Sequence, residues 1–318
     1  MTYHTRVLRS TALGATAAIA LLLLGATPAL AAKPPGKANN SPSSHGGGSS
    51  TPTGNDISYP QCGGTFPSGQ AFGIVGVNDG LANNLNPCLG PDGGGASTSE
   101  LYWAQTTSSG AVNQQGGSPP KAGLYVNTAD PGNAVSDWPT AGTYPGDPYS
   151  DSSTASYCDG GNTQACAWAY GDAKAVQDGQ WLEAAATAVN TALTNAGSSY
   201  ALPTSPSSYP WWLDIQTSNS WRSGTTGLAM NGADIQGMLA GLDSFGGSPT
   251  IGIYSTSYQW GQIVGSPSAT TFPNLPDWIP GARKLSQAES NCSLVGFTGP
   301  VAVTQWFGHP YDGDYACP

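Results

Sequence analysis

Residues 209–221 read YPWWLDIQTSNSW, an apolar run that becomes polar within a few residues and ends in a tryptophan. The apolar part predicts a buried strand. Because successive side chains of a strand point to opposite faces, Trp212, Asp214 and Gln216 are expected to share one face. A carboxylate where an apolar strand ends is typical of a (β/α) barrel enzyme, whose catalytic groups lie at the C-terminal ends of the strands. The other interpretation is that Asp214 caps the following turn.

The same change from apolar to polar recurs along the chain. It predicts strands at residues 55–60, 71–80, 122–131, 250–255, 275–282 and 301–307. Periodic segments predict helices at residues 98–107, 166–196, 231–245 and 284–291. Strands that alternate with helices indicate a parallel sheet. Because no glycine-rich phosphate turn favours a doubly wound sheet, we predict an α/β fold, a closed (β/α) barrel of the triosephosphate isomerase type.

The N-terminal segment has the pattern of a secretory signal peptide. In residues 1–31, two arginines precede an apolar run and the small-residue cleavage pattern ALA. Residues 32–54 are rich in Gly, Ser and Pro and are interpreted as a flexible, disordered linker. Residues 55–318 are predicted to form one domain. No segment approaches the ~20 apolar residues of a membrane-spanning helix. We therefore expect a monomer that is secreted or associated with the cell wall.

The formal charge of the predicted domain limits which classes of ligand it can bind. Residues 55–318 contain all 19 acidic residues and five basic ones, a formal charge of 5 − 19 = −14. That balance excludes binding to a nucleic-acid backbone. Abundant Gly, Ser, Thr, Asn, Trp and Tyr with little charge favours uncharged polar ligands, carbohydrate foremost.

The six cysteines all follow the predicted signal peptide, and an even number in an exported chain indicates disulfides. The predicted pairing joins nearest neighbours: Cys62 to Cys88, Cys158 to Cys166 and Cys292 to Cys317. There is no Cys-x-x-Cys motif, and only His45 and His309 follow the predicted signal. No metal site and no cofactor are predicted.

Several short motifs, in their order and spacing, resemble the lysozyme-type muramidases of glycoside hydrolase family 25, exported barrels that cut bacterial peptidoglycan. The motifs are DISY at residues 56–59, LDIQ at 213–216, IYS at 253–255 followed by Trp260, DWI at 277–279, and QW at 305–306 followed by DGD at 312–314. Together they span almost all of the predicted domain.

The resemblance implies a role for each matching residue. Asp56 and Asp314, or Asp312, would shape the sugar subsite, and Asp214 would assist the N-acetyl group of the substrate. Gln216 stands where the family has its proton-donating Glu. An amide cannot protonate a departing sugar oxygen, and a positioned general acid contributes about 10²- to 10⁴-fold to the rate. The two-carboxylate chemistry of glycosidases is therefore broken at one position.

Three hypotheses follow. The first is a barrel that binds bacterial cell-wall glycan with reduced or no muramidase activity. The second is an active glycosidase in which Asp79 or Asp130, at the predicted ends of strands, supplies the acid. The third is a protein-interaction module at the cell surface. The residues predicted to bind sugar are Asn78, Asp130, Trp212, Trp221, Tyr254, Trp260, Trp306 and Asp312, with about half of these four tryptophans expected to fill the core instead. Residues 133–164 are predicted to be a long loop at the strand C-terminal face.

Overall fold

The computed structural model describes residues 53–80, 82–107, 122–131, 138–149, 158–161, 163–266, 271–272 and 274–318. The predicted signal peptide and nearly all of the predicted linker lie outside the described residues. So do residues 133–137, 150–157 and 162 of the predicted long loop. Among the described residues, no helix is both long and apolar enough to cross a membrane.

Eight strands form one closed barrel, with neighbours in the order of the chain. They are β1 (Thr53–Ile57), β2 (Phe72–Gly76), β3 (Ala122–Asn127), β4 (Trp211–Asp214), β5 (Ile251–Tyr254), β6 (Asp277–Ala282), β7 (Val301–Trp306) and β8 (Asp312–Ala316). The strands from β1 to β7 are parallel, and β8 is antiparallel to both β7 and β1. The predicted closed barrel is confirmed, whereas the predicted wholly parallel arrangement is not what forms.

The reversed direction of β8 has a simple cause. A parallel connection needs a crossover of about a dozen residues or more, usually a helix. Only residues 307–311 separate β7 from β8. A link that short permits only a hairpin, so β8 returns antiparallel and places its first residue at the end of the barrel where the other strands finish.

Five α-helices follow five of the strands in the described part of the chain. They are α1 (Glu100–Thr107), α2 (Gln164–Asn195), α3 (Gly224–Asp243), α4 (Ser257–Ile263) and α5 (Leu285–Asn291). Two of these helices have an N-cap side chain. The Thr163 hydroxyl accepts from the backbone N–H of Cys166, and the Thr256 hydroxyl accepts from that of Gln259. Four helices agree with the prediction, although α3 begins seven residues earlier; α4 was not predicted.

Helices α2 and α3 approach so closely that their backbones touch. A Cβ atom on Gly237 would lie 1.9 Å from the carbonyl oxygen of Trp168, and one on Gly171 would lie 2.0 Å from that of Asp234. Only glycine fits at such positions. The close approach holds α2 and α3 as a pair against the outside of the barrel.

The two faces of β4 enter two different apolar layers. Trp211 and Leu213 pack with residues of the helices outside the barrel. Trp212 packs instead with residues of other strands, including Trp278, and so lies inside the barrel. Asp214 follows Trp212 on this inner face, as predicted from the alternation of the strand. The strand therefore points a carboxylate into the barrel.

Three disulfides join Cys62 to Cys88, Cys158 to Cys166 and Cys292 to Cys317. The predicted pairing is confirmed. The third bridge ties the residue after α5 to the residue after β8, which fixes the closing strand to the helical layer.

Candidate functional site

A cleft opens at the end of the barrel where the parallel strands finish. The main residues that line it are Asp56, Tyr59, Tyr125, Asn127, Asp214, Gln216, Tyr254, Trp278, Gln305, Pro310 and Asp312. Asp56 is the last residue but one of β1 and Asp214 the last of β4, while Asp312 is the first of the antiparallel β8. The topology thus brings carboxylates from three strands to one opening.

Asp214 is the most deeply buried carboxylate that lines the cleft, with 4% of the residue exposed. The side-chain amide of Gln216 donates to its Oδ2 at 2.9 Å. Its Oδ1 is buried with no hydrogen-bond partner among the described residues. Burial raises the pKa of Asp214 to about 7; the bond from Gln216 lowers it, and the charge of Asp56 raises it. Asp214 can therefore hold a proton near neutral pH.

Asp56 is partly exposed to the cleft and is held by a chain of hydrogen bonds. The Gln305 amide donates to Asp56 Oδ2 at 2.8 Å, and the Tyr254 hydroxyl donates to Gln305 Oε1 at 2.8 Å. Desolvation raises the pKa of Asp56 to about 6, the bond from Gln305 lowers it, and the charge of Asp312 raises it. Tyr254 thus contributes by orienting Gln305.

Asp314 lies beneath the cleft, buried inside the barrel. Trp278 Nε1 donates to its Oδ1 at 3.0 Å. Burial, followed by the charge of Asp56, raises the pKa of Asp314 well above its usual value. Asp314 Oδ2 is buried with no hydrogen-bond partner among the described residues. Burial and the nearby charge of Asp56 therefore both favour the protonated form of Asp314.

The residues predicted as alternative acids lie elsewhere. Asp130 is buried and forms an ion pair with Arg222, whose Nε lies 3.1 Å from Asp130 Oδ1 and whose guanidinium stacks on Trp138. Neither Asp130 nor Asp79 is among the described residues that line the cleft. The acid role of either residue stays a prediction, and this placement gives it no support. Asn78 lies next to the cleft, where it pairs with Asn127.

None of the four tryptophans predicted to stack on sugars is among the residues that line the cleft. Trp212 and Trp260 are buried in apolar clusters, and Trp306 packs against the layer under α5. Trp221 is half-buried, and its Nε1 donates to the backbone oxygen of Gln216 at 2.8 Å. Large aromatic side chains stabilise cores, and here they do so at all four positions. Among the residues that the structure describes, the aromatic side chains that line the cleft are those of Tyr59, Tyr125, Tyr254 and Trp278.

Of the main cleft residues, sequence reasoning missed six: Tyr59, Tyr125, Asn127, Trp278, Gln305 and Pro310. Tyr125 and Asn127 alternate in β3 with the buried Leu124 and Val126, so the period-2 pattern was the available signal. Tyr59, Trp278 and Gln305 were recognised only as parts of motifs. In the described part of the chain, no group of three or more His, Cys, Asp or Glu side chains is arranged to hold a metal ion.

No protein-family model and no curated protein matches the chain. Among solved structures, the chain is similar to a muramidase from Trichobolus zukalii, with 16% sequence identity and a TM-score of 0.41 over 83% of this chain and 92% of that one. A similarity of this size is too low to support an inference about function.

Proposed function

We propose that this chain is an exported, glycoside hydrolase-like barrel that binds bacterial cell-wall glycan in the cleft and cleaves it slowly or not at all. The observation that carries the proposal is the pair formed by Asp214 and Gln216. The two side chains share the inner face beyond β4, and the amide of Gln216 is hydrogen-bonded to the carboxyl group. Asp214 has a hydrogen-bonding partner at position 216, where the resemblance places the proton donor. That partner is an amide, which has no acidic proton to give.

The lining of the cleft suits a sugar chain. Carboxyl and amide groups from β1, β3, β4, β7 and β8 offer hydrogen-bond donors and acceptors for hydroxyl and acetamido groups. Tyr59, Tyr125 and Tyr254 add rings with a polar tip. A mixture of apolar rings and a few convergent polar groups is the usual composition of a small-ligand site.

Export is supported by the predicted signal peptide and by the three disulfides, since disulfides persist in oxidising compartments. An exported barrel of the muramidase type would meet peptidoglycan outside the cell. This connection is part of the proposal and rests on the motif resemblance.

A second candidate, an active glycosidase, is favoured by one observation. Burial raises the pKa of Asp214 to about 7, so this carboxyl group can carry a proton in the cleft at and below neutral pH. Raised carboxyl pKa values are a common feature of catalytic acids. In this case the acid would be Asp214 itself and neither Asp79 nor Asp130.

Sedimentation with purified, insoluble peptidoglycan tests binding, and clearing of the same suspension tests cleavage. We expect the wild-type protein to bind the wall and to clear it little. Gln216→Glu is expected to raise clearing by up to about 10²- to 10⁴-fold, because it restores an ionisable acid beside Asp214. Gln262→Glu, the same change on the exposed side of α4, is the matched control and is expected to change nothing. Wild-type protein that stays in the supernatant would refute the proposed function.

A further inference from the structure

The inner part of the cleft is lined by aromatic rings as well as by carboxyl groups. Tyr125, Tyr254 and Trp278 supply the rings, and Asp56 and Asp214 line the same space. The ring centroid of Trp278 lies 6.3 Å from that of Tyr125 and 4.5 Å from that of Tyr254, both in edge-to-face contact. The face of an aromatic ring carries partial negative charge, so rings beside carboxylates form an environment that attracts a cation.

The negative charge of the cleft is not balanced by a cation of its own lining. Among the described residues that line the cleft there is no lysine, arginine or histidine, whereas Asp56, Asp214 and Asp312 all line it. In addition to burial, the charge of Asp312 raises the pKa of Asp56, and the charge of Asp56 raises that of Asp214. The carboxylates therefore repel one another, and a bound cation would relieve this repulsion.

Asp214 also offers an acceptor that the described part of the chain does not use. This residue lines the cleft with 4% of its surface exposed, and its Oδ1 has no hydrogen-bond partner there. Its Oδ2 accepts from Gln216. A buried acceptor without a donor is unfavourable, so a charged N–H group of a ligand that reaches Oδ1 gains more than it would in water. In the part of the chain that the structure describes, no three acidic, His or Cys side chains are arranged to hold a metal ion, so the expected donor is an organic group.

We propose that the inner part of the cleft binds a protonated amino group, and that the glycan it takes carries de-N-acetylated hexosamine residues. The inference rests on the proposed function and names the form of the glycan. A sugar amine, like an α-amino group, is largely protonated at about pH 7. Its three N–H groups can donate to Asp214 and Asp56 while the aromatic rings surround the charge. The nitrogen of an N-acetylated sugar is an uncharged amide with a single N–H, so most of this attraction is absent.

Calorimetry with two soluble probes of equal length tests the preference without any variant. The wild type is expected to bind a glucosamine tetramer at least about tenfold more tightly than an N-acetylglucosamine tetramer at about pH 7. Equal affinities, tighter binding of the acetylated probe, or no binding of either would overturn the proposal. Nα-acetyl-lysine represents the other source of ammonium groups in a wall, its peptides. Binding of Nα-acetyl-lysine as tight as that of the glucosamine tetramer would overturn the assignment to a sugar.

Two variants separate the cleft from the overall negative charge of the protein. Asp56→Asn and Asp243→Asn each remove one carboxylate, and Asp243 is exposed on α3 outside the cleft lining. Asp56→Asn is expected to lower the ratio of the two tetramer affinities about fivefold, and Asp243→Asn is expected to keep the wild-type ratio. If the two variants change the ratio equally, the attraction is not located in the cleft and the proposal is wrong.

Tyr125 provides a test of the aromatic contribution. Tyr125→Leu removes the ring, whereas Tyr125→Phe keeps it. The affinity ratio is expected to fall about three- to tenfold in Tyr125→Leu and to stay near the wild-type value in Tyr125→Phe. Equal ratios in the two variants would overturn the role of the ring in binding the ammonium group.

A wall assay distinguishes failure of this proposal from failure of the proposed function. Purified wall is compared before and after N-acetylation of its free amines with acetic anhydride. Wild-type protein is expected to bind the untreated wall more tightly; equal binding to both would overturn the amine preference and leave the proposed function standing. Protein that sediments with neither wall would refute the proposed function, whatever the tetramers show.

Discussion

Replacing Asp214 with Asn is expected to remove one component of the pH dependence of stability. Asn has nearly the same shape as a neutral Asp and cannot ionise. In the wild type, burial raises the pKa of Asp214 from 3.8 to about 7. The folded state therefore binds this proton more tightly than the unfolded state does.

The sign and size of the effect follow from this difference. Below about pH 4 both states hold the proton, and the stabilisation is complete. Between about pH 4 and pH 7 the unfolded chain has released it and the folded chain has not, so the free energy of unfolding falls as the pH rises. A shift of roughly three units, at about 1.4 kcal/mol for each unit, corresponds to about 4 kcal/mol. Above pH 7 this contribution stays constant.

Urea unfolding of the disulfide-intact protein between pH 4 and pH 8 measures the effect. The quantity of interest is the free energy of unfolding of the wild type minus that of Asp214→Asn. The subtraction cancels the contributions of other buried carboxyl groups, such as Asp178 and Asp234, whose pKa values burial also raises. The difference is expected to decrease by about 4 kcal/mol between pH 4 and pH 7. Parallel curves, or a difference that grows with pH, would refute the assignment of the proton to Asp214.

Two further predictions concern the helical pair and the rim of the cleft. Gly237→Ala is expected to lower the free energy of unfolding by about 1–3 kcal/mol because its Cβ would overlap Trp168, whereas Gly232→Ala on the same helix, with 3.7 Å of space, is expected to raise it by up to about 1 kcal/mol. Equal shifts of the melting temperature in the two variants would contradict the close packing of α2 and α3. Tyr59→Ala is expected to weaken binding to the purified wall about tenfold because its exposed ring lines the cleft, whereas Tyr258→Ala, an exposed position outside the cleft, is expected to leave binding unchanged. Equal binding curves for the two variants would show that Tyr59 is not part of the binding surface.

Much of the barrel was predictable because its parallel strands are short apolar runs that end in polar residues. The alternation in β4 placed Asp214 and Trp212 on one face, and the structure confirms this. The disulfides were predictable because each one joins neighbouring cysteines in the sequence. These features depend on local pattern, and local pattern is what a sequence displays.

The direction of β8 does not follow from a local sequence pattern. Its sequence, DGDYA, has no apolar run, so only the short connection after β7 and the closed barrel define it as a strand. Helix α4 was hidden because it follows β5 after only two residues. The residues of its first turn extended the apparent strand pattern.

The motifs identified polar residues that line the cleft, but of its aromatic side chains only Tyr254 was predicted as a site residue. Asp56, Asp214, Gln216 and Asp312 line one cleft, as the motifs indicated. A tryptophan has the same hydropathy whether it faces the interior, the helical layer or the opening. Which of these it faces depends on the register of strands far apart in sequence, and Trp306 illustrates the case, since it faces the layer under α5.

The antiparallel closing strand makes the cleft a late product of folding. Asn55 Nδ2 donates to the backbone oxygen of Asp312 across 257 positions of sequence, and Gln305 reaches Asp56 across 249. A nascent chain that ends before β8 has no partner for the outer edge of β1 and holds only part of the carboxyl cluster. Contacts of such sequence separation form slowly, because the entropy of closing the loop precedes any gain. Assembly of the cleft and completion of the barrel are therefore one event, and a partly synthesised chain has no complete cleft.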